Sequence, residues 1–185
     1  MTTQIAILDR DGVINADSPD YIKSEAEWIA LPGSLEAISR LNRAGYRVVI
    51  ITNQSALGRG RMNMEQLNAI HQKLTAHLSQ FGGSIDAILF CPHTPEDNCA
   101  CRKPQTGLFQ ELARRLGISL SGVPAFGDKL SDIEAALAVG ARPLLVRTGQ
   151  GRGLEQSGQV PAGVPVYDDL RAAVTAWLAD AGKSR

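Results

Sequence analysis

The sequence predicts an α/β protein whose core is a doubly wound parallel sheet. Short apolar runs of strand length alternate with segments whose apolar residues recur at helical spacing. The runs are apolar throughout, which is typical of strands that are covered by helices on both faces. A chain of 185 residues is also long enough for one domain with a substantial core. We therefore expect a single domain over residues 1–185.

The first half of the chain supplies three predicted strands and two predicted helices. Gly45 is a natural end for the first helix, and Asn63 with Gln66 forms a capping box at the start of the second. The predicted strands are 5–8, 47–52 and 85–91. The apolar positions of the helices are Leu35, Ile38 and Leu41 in the first, and Leu67, Ile70, Leu74 and Leu78 in the second.

The second half continues the same alternation. Ser131 with Glu134 resembles a second capping box, and Gly117 and Gly140 end two helices. The glycine-rich stretch 149–163 is predicted as a surface loop. The predicted strands are 123–127 and 143–147, the helical apolar positions are Leu108, Leu112 and Leu116 and then Leu170, Val174, Trp177 and Leu178, and residues 183–185 form a frayed tail.

Composition excludes several classes of partner. Nineteen Lys and Arg residues balance nineteen Asp and Glu residues, so no basic excess favours nucleic acid or a membrane surface. No apolar run is long enough to span a bilayer, and residues 1–4 lack the positive start of a signal peptide. We therefore expect a cytoplasmic protein with no nucleic-acid or membrane partner.

Polar residues follow three of the predicted strands where each strand ends. Asp9 and Asp11 follow the first, and Asp128 with Lys129 follows the fourth. The carboxyl ends of parallel strands share one edge of the sheet, where open α/β sheets bind ligands, so these side chains can converge there. Lys103 comes from a separate loop. The residues that follow the second strand are Thr52, Asn53, Gln54 and Ser55.

This set of residues suits phosphoryl transfer. A phosphate monoester brings about two negative charges, which Asp9 and Asp128 would repel without a cation. Mg²⁺ bound to those carboxylates removes the conflict, while Lys103 and the Thr52 hydroxyl can hold the remaining phosphoryl oxygens. Taken singly, each feature has a plainer interpretation: a turn at 9–12, a helix cap at Thr52, or a surface lysine.

The four motifs together resemble the haloacid dehalogenase (HAD) superfamily of phosphatases. They occur in order at 9–14, 52–54, 103 and 127–132 and span most of the chain. The resemblance implies a HAD-like, Rossmann-type fold. It also implies that Asp9 attacks phosphorus, that Asp11 acts as general acid and base, and that Mg²⁺ is bound by Asp9, the main-chain carbonyl of Asp11, and Asp128. The role of Asp132 stays open; it could orient Lys129 or the loop.

A second cluster lies within residues 91–103. Three cysteines and one histidine are a complete tetrahedral Zn²⁺ set without an open position, so we expect a structural rather than a catalytic metal. This zinc loop would hold Lys103 in place. The alternative is three free cysteines and an unrelated histidine. The expected zinc ligands are Cys91, His93, Cys99 and Cys101, whereas His71 and His77 lack such partners and are expected on a helix surface.

The zinc loop resembles that of a subgroup containing heptose-bisphosphate and histidinol-phosphate phosphatases, in which it stands in place of a large cap domain. The short spacing between His93 and Cys99 is closer to the histidinol-phosphatase form. The heptose form is favoured by 53–55 with the nearby Arg59, by Lys129, and by the segment 13–17. A bisphosphate has a second anionic end, and candidates to bind it are Arg59, Arg61, Arg102 and Lys129, with Asp17 also near the substrate; Arg59 and Arg61 could equally be solvated loop residues.

The resemblance implies a Mg²⁺-dependent hydrolase with a small-molecule sugar phosphate as substrate. The expected reaction removes the 7-phosphate of D-glycero-D-manno-heptose 1,7-bisphosphate through an aspartyl phosphate, a step toward lipopolysaccharide. Two alternatives remain at this point: a histidinol-phosphate phosphatase, and a zinc-stabilised binding module without catalysis. A compact domain without a cap is expected to be a monomer.

Overall fold

The computed structural model describes residues 4–183, and its centre is a six-stranded sheet in which all neighbouring strands are parallel. Successive side chains of the first strand enter opposite cores: Ile5 and Ile7 pack on one face, Ala6 and Leu8 on the other. The strands are β1 (Gln4–Leu8), β2 (Tyr46–Asn53), β3 (Ala87–Cys91), β4 (Pro124–Gly127), β5 (Arg142–Val146) and β6 (Val166–Tyr167).

Helices cover both faces of this sheet. The predicted apolar stripes are the buried faces: Ile38 and Leu74 join one core, and Leu112 joins the other together with Phe109. The helices are α1 (Ser34–Arg43), α2 (Ser55–Gly58), α3 (Met64–Gln80), α4 (Gly107–Leu116), α5 (Leu130–Ala138), α6 (Gly151–Gln156) and α7 (Leu170–Lys183). The predicted doubly wound parallel α/β fold is therefore confirmed.

The strand order places a crevice beside β1. The order is β3-β2-β1-β4-β5-β6, so the chain winds in one direction from β1 and in the other from β4. The loops that follow these two adjacent strands diverge, and such a reversal is where open α/β sheets bind ligands. Asp9 and Asp11 follow β1, and Asp128 follows β4. The topology therefore brings the predicted motifs to one edge.

Some local predictions are wrong. The start of α5 is held by Asp132, whose side chain accepts from the Lys129 N–H, because the helix begins at Leu130 and Ser131 is already in its first turn. The stretch 149–163 was expected to be a loop but contains α6, and its glycine-rich composition gave no sign of a helix. Glycine is needed at the start of α6 because Gly151 packs closely on the end of β5, where a Cβ would collide with a main-chain oxygen. Lys183 ends α7, and residues 184–185 of the predicted tail lie outside the described residues.

No cap domain interrupts the part of the chain from 4 to 183. The two longest connections between elements are 9–33, after β1, and 92–106, which contains the predicted zinc ligands His93, Cys99 and Cys101 and a 3-10 turn at Pro95–Asp97. Over the same residues, no helix is both long enough and apolar enough to cross a bilayer. The edge of the sheet where the predicted motifs meet is thus bordered by these connecting segments and not by an inserted domain.

Candidate active site

A cavity of about 370 Å³ opens at the carboxyl ends of β1, β2 and β4. Of the residues predicted for the site, its lining includes Asp9, Asp11, Asp17, Thr52, Asn53, Gln54, Ser55, Arg102, Lys103 and Lys129. Residues that the sequence did not point to also line it: Ser18, Pro19, Tyr21, Ile22, Ser131 and Gln150. The structure therefore brings most of the predicted set together around one space.

At the base of the cavity, a buried lysine bridges two carboxylates. Lys103 Nζ lies 2.9 Å from Asp9 Oδ1 and 2.7 Å from Asp132 Oδ1, and it donates to the carbonyl of Ile51 at 2.6 Å. Burial alone would lower the pKa of Lys103, but the two carboxylates outweigh it and raise that pKa. The ammonium is therefore held as a fixed positive charge beside Asp9.

Asp11 lies in a different environment from Asp9. Its carboxylate accepts from Arg10 Nε at 2.9 Å, from Asn15 Nδ2 at 2.8 Å and from Gln54 Nε2 at 2.9 Å. Burial raises the pKa of Asp11, but the Arg10 charge and these hydrogen bonds prevail and lower it. For Asp9, burial is the largest influence and raises the pKa, against the opposing charge of Lys103. The two carboxyl groups of the motif are thus separated by environment.

The side chain of Asn53 holds the loop that carries Lys103, through hydrogen bonds to the Lys103 main chain. Its Oδ1 accepts from the Lys103 N–H at 3.1 Å, and its Nδ2 donates to the Lys103 carbonyl at 3.2 Å. The Thr52 hydroxyl is buried at the end of β2 and accepts from Gln54 Nε2 at 3.0 Å. The residues at the end of β2 and directly after it therefore position Lys103 and Asp11, in addition to lining the cavity.

Asp132 anchors the loop that follows β4. Its Oδ2 accepts from the backbone N–H groups of Asp128 and Lys129 at 3.1 and 3.0 Å, while its Oδ1 lies against Lys103. One carboxylate group therefore contacts both the backbone of the loop after β4 and the ammonium of Lys103.

The oxygen atoms expected to hold magnesium surround one point, and the ammonium of Lys129 lies at that point. Lys129 Nζ lies 3.2 Å from the Asp11 carbonyl oxygen, 3.3 Å from Asp128 Oδ1 and 3.9 Å from Asp9 Oδ2. A carboxylate–carbonyl set of this kind suits a hard divalent cation. The residues present therefore fit Mg²⁺.

Asp128 is enclosed by backbone. Gly12 has a φ of 89°, and a Cβ on it would collide with Asp128 Oδ2. The same oxygen accepts from the Gln150 N–H at 2.9 Å. Burial raises the pKa of Asp128 to about 8, partly opposed by the charge of Lys129. The glycine of the first motif is thus required for the close approach of the loops that follow β1 and β4.

The four predicted zinc ligands converge. Cys101 Sγ lies 3.1 Å from Cys91 Sγ and 3.4 Å from Cys99 Sγ, and His93 Nδ1 lies 3.2 Å from Cys101 Sγ. Disulfide sulfurs would be about 2 Å apart, whereas sulfurs on a tetrahedral zinc ion are separated by about 3.8 Å. The spacing fits a cluster of metal ligands, and all four donor atoms lie within 4.8 Å of one another.

Of the residues predicted to bind the substrate, some line the cavity and others lie outside it. Lys129 Nζ is 3.2 Å from Asp17 Oδ2, so these two candidates pair at the cavity. Arg102 lines the cavity and donates to the His93 carbonyl at 3.3 Å. Arg59 does not line the cavity, because its guanidinium pairs with Glu96 at 3.2 Å. Arg61 likewise pairs away from the cavity, with Asp20 at 2.8 Å.

Sequence reasoning missed the side chains behind the motif residues. Arg10 is fully buried and contacts Asp11, Gln54 and His71. His71, expected on a helix surface, lies half-buried on α3 with its ring facing Arg10 at 3.2 Å. Arg10 lies in a bend just after β1, and nothing in the sequence around it indicates that its guanidinium turns onto the neighbouring Asp11. No local signal indicates its partner on α3.

The comparisons with known proteins agree with this geometry. A D-glycero-beta-D-manno-heptose-1,7-bisphosphate 7-phosphatase from Bordetella bronchiseptica is 51% identical over 96% of this chain and 99% of that protein. The relative of the same name from Pseudomonas aeruginosa is 45% identical, with the same coverages. A crystal structure of the D,D-heptose 1,7-bisphosphate phosphatase from B. bronchiseptica, complexed with magnesium and phosphate, matches with a TM-score of 0.93, 51% identity and coverages of 96% and 99%.

Family models match both halves of the chain. The model described as polynucleotide kinase 3 phosphatase matches residues 4–122, and the one described as HAD-hydrolase-like matches residues 100–173. Together with the fold and the paired aspartates, they define the class as HAD-like phosphatases, that is, phosphoric monoester hydrolases. Among HAD-like phosphatases, the chain belongs to the family of D-glycero-D-manno-heptose-1,7-bisphosphate 7-phosphatases.

Proposed function

We propose that this protein is a magnesium-dependent phosphatase that removes the 7-phosphate of D-glycero-beta-D-manno-heptose 1,7-bisphosphate. The observation that carries the proposal is the 51% identity, over nearly the whole length of both chains, to a relative of that name. The names of the relatives also specify the beta anomer, which the sequence by itself does not. The charges around the cavity support the chemistry.

In the first half-reaction, an oxygen of Asp9 attacks phosphorus and the bond from phosphorus to the sugar oxygen breaks. Lys103 holds Asp9 in place and offsets charge on the phosphoryl oxygens. The leaving sugar oxygen takes a proton from Asp11 and departs as an alcohol. Asp11 is a carboxylate in the free site; an incoming phosphate dianion raises the pKa of a neighbouring carboxyl and so favours the protonated form that this step needs.

In the second half-reaction, Asp11 accepts a proton from water. The water oxygen attacks phosphorus, the bond to Asp9 breaks and inorganic phosphate forms, so Asp9 is again a carboxylate and Asp11 is protonated as it was in the substrate complex. The proton that Asp11 took up from solvent on substrate binding is released when phosphate leaves. The hydrogen bonds from Asn15 and Gln54 hold Asp11 in one orientation for both steps. Positioning of this kind is where a general acid and base gains about 10²–10⁴-fold.

Two metals accompany this proposal. Asp9, the Asp11 carbonyl and Asp128 would hold Mg²⁺, which supplies positive charge to the phosphoryl group. Cys91, His93, Cys99 and Cys101 would hold Zn²⁺, a closed set that stabilises the loop carrying Lys103. Thiolate ligands persist in a reducing compartment, in keeping with a cytoplasmic location.

The second phosphate of the substrate needs a cation other than Lys103, which is held between Asp9 and Asp132. Arg102 and Lys129 line the cavity and are the charged candidates for it, with Thr52, Asn53, Gln54 and Ser55 nearer the reacting phosphate. Asp17 pairs with Lys129 and would set the position of its ammonium. Arg59 pairs with Glu96 outside the cavity, so Arg102 and Lys129 are preferred for this role.

A paired substrate assay tests the proposal. Phosphate release is measured with purified protein and Mg²⁺ on the beta anomer, the alpha anomer and histidinol phosphate. We expect kcat/KM to be at least about tenfold higher for the beta anomer. Preference for histidinol phosphate would overturn the substrate assignment, and no release from any ester would revive the idea of a binding module.

A further inference from the structure

A buried arginine connects α3 to the first motif. The Arg10 side chain is fully buried; Nε and Nη2 donate to the two oxygens of Asp11 at 2.9 and 3.0 Å. On the other side of the same guanidinium, Nη1 lies 3.2 Å from His71 Nε2. Within residues 4–183, this ring is the hydrogen-bond partner of Nη1, which makes the contact between these distant parts of the chain specific.

The chemistry of the pair determines the direction of the hydrogen bond. A guanidinium has donors and no acceptor, so His71 Nε2 must accept and the ring proton must lie on Nδ1. Burial, and to a smaller extent the positive charge of Arg10, lowers the pKa of His71 to about 4. The ring is therefore neutral near pH 7 and able to accept.

We propose that His71 is a positioning residue for the phosphatase reaction, which fixes the Arg10 guanidinium and through it the carboxyl group of Asp11. A guanidinium binds a carboxylate in a planar fork, so rotation of Arg10 moves both of its hydrogen bonds to Asp11. A buried Nη1 without an acceptor would favour such a rotation, because an unsatisfied buried donor is costly. His71 thereby acts on proton transfer without touching the substrate.

This inference rests on the proposed role of Asp11, and it predicts a dependence on the leaving group. A sugar alkoxide is a strong base and needs a proton as it leaves, whereas p-nitrophenolate leaves readily without one. Misorientation of Asp11 should therefore slow phosphoryl transfer from the sugar ester while sparing transfer from p-nitrophenyl phosphate. Loss of general stability would reduce both reactions alike.

The experiment compares His71→Leu, His71→Gln and His77→Leu. Leucine removes the acceptor, whereas glutamine places an amide oxygen near the position of Nε2. His77 lies on the same helix but is exposed and packs on the edge of Trp28, so it is the matched control. For each protein, kcat/KM is measured on the heptose bisphosphate and on p-nitrophenyl phosphate, since this ratio reports the step that forms the aspartyl phosphate.

For His71→Leu we expect kcat/KM to fall about tenfold or more on the sugar ester and less than about threefold on p-nitrophenyl phosphate. His71→Gln should recover most of the loss, and His77→Leu should match the wild type. Should the leucine variant not fold, His71→Asn, whose shorter side chain stops short of Arg10, takes its place. An equal fall on both esters, or no fall, overturns the inference.

Asp11→Asn separates this inference from the function on which it rests. If Asp11→Asn shows the selective loss and His71→Leu does not, only the role of His71 is overturned. If Asp11→Asn slows both esters equally, the assignment of Asp11 as the proton donor fails, and the inference about His71 fails with it.

Discussion

At the scale of single residues, the two aspartates of the first motif show how environment divides one chemistry into two tasks. Both lie at the end of β1, two residues apart. Asp9 is buried against the fixed charge of Lys103, while Asp11 lies within the hydrogen bonds of Arg10, Asn15 and Gln54. The first environment orients a nucleophile, and the second holds a group that exchanges a proton.

Replacing the proposed nucleophile tests this division. Asn at position 9 keeps the shape of the side chain and an oxygen for Lys103, but it cannot form the acyl phosphate. We expect Asp9→Asn to lower kcat by at least about 10⁴-fold with a circular dichroism spectrum like that of the wild type. Asp86→Asn removes a carboxylate that pairs with Arg47 at the surface, and it should leave turnover unchanged.

Rapid quench of the wild type during turnover provides a direct check on the same residue. Mass spectrometry of the quenched protein should find a phosphoryl group on the peptide that contains Asp9 and none in Asp9→Asn. Turnover by the wild type without any trapped adduct would contradict an aspartyl-phosphate mechanism.

Magnesium affinity should depend on pH through Asp128. Burial raises the pKa of this carboxyl to about 8, so the metal-free protein retains its proton at neutral pH, whereas the metal requires the carboxylate. Binding therefore releases a proton, and affinity weakens as pH falls below 8, by up to about tenfold per pH unit. Calorimetric titration with Mg²⁺ at pH 6, 7 and 8 measures this; equal affinities without proton release would contradict it.

At the scale of elements, the loop between β3 and α4 joins two functions. The cysteine and histidine cluster ends at Cys101, two residues before Lys103. The main chain of Lys103 is also held by Asn53 at the end of β2. A polar loop of this length has little apolar surface to bury, so a closed metal site is an effective way to order it. The position of Lys103 is thus secured from both sides.

Removing one proposed zinc ligand should loosen this loop. We expect Cys99→Ser to lose its zinc, to unfold at a temperature about 5–10 °C lower, and to bind substrate more weakly because Lys103 is held less firmly. Metal analysis, thermal unfolding and KM measure the three effects. Wild-type protein treated with a chelator should behave alike and recover when zinc is added; full stability and activity without zinc would show that the metal is dispensable.

At the scale of the whole molecule, the parts that could be predicted from the sequence are those written in short segments. Apolar runs indicated five of the six strands, with the two-residue β6 missed, and polar residues directly after them indicated Asp9, Asp11 and Asp128. The contact between Arg10 and His71 joins residues 61 positions apart and has no local signature. The pairing of Arg59 with Glu96 likewise has no local signature, because it arises only where two loops meet.

The oligomeric state is the last expectation that can be argued from the whole surface. The most exposed large apolar side chains among the described residues are Ile29, Met64, Phe81 and Leu137. Met64 begins α3 and Phe81 follows its end, so they are roughly 25 Å apart along a helix that rises 1.5 Å per residue. Leu137 lies on α5, which covers the other face of the sheet.

Met64, Phe81 and Leu137 are therefore scattered and do not form one patch of the size that stable dimers bury. We expect a monomer of 19.8 kDa in light scattering coupled to size-exclusion chromatography, with the same mass after tenfold dilution. A mass of twice this value that persists on dilution would contradict the prediction. In that case Leu137→Ser and Phe81→Ser, which alter opposite faces of the sheet, would show which face forms the interface.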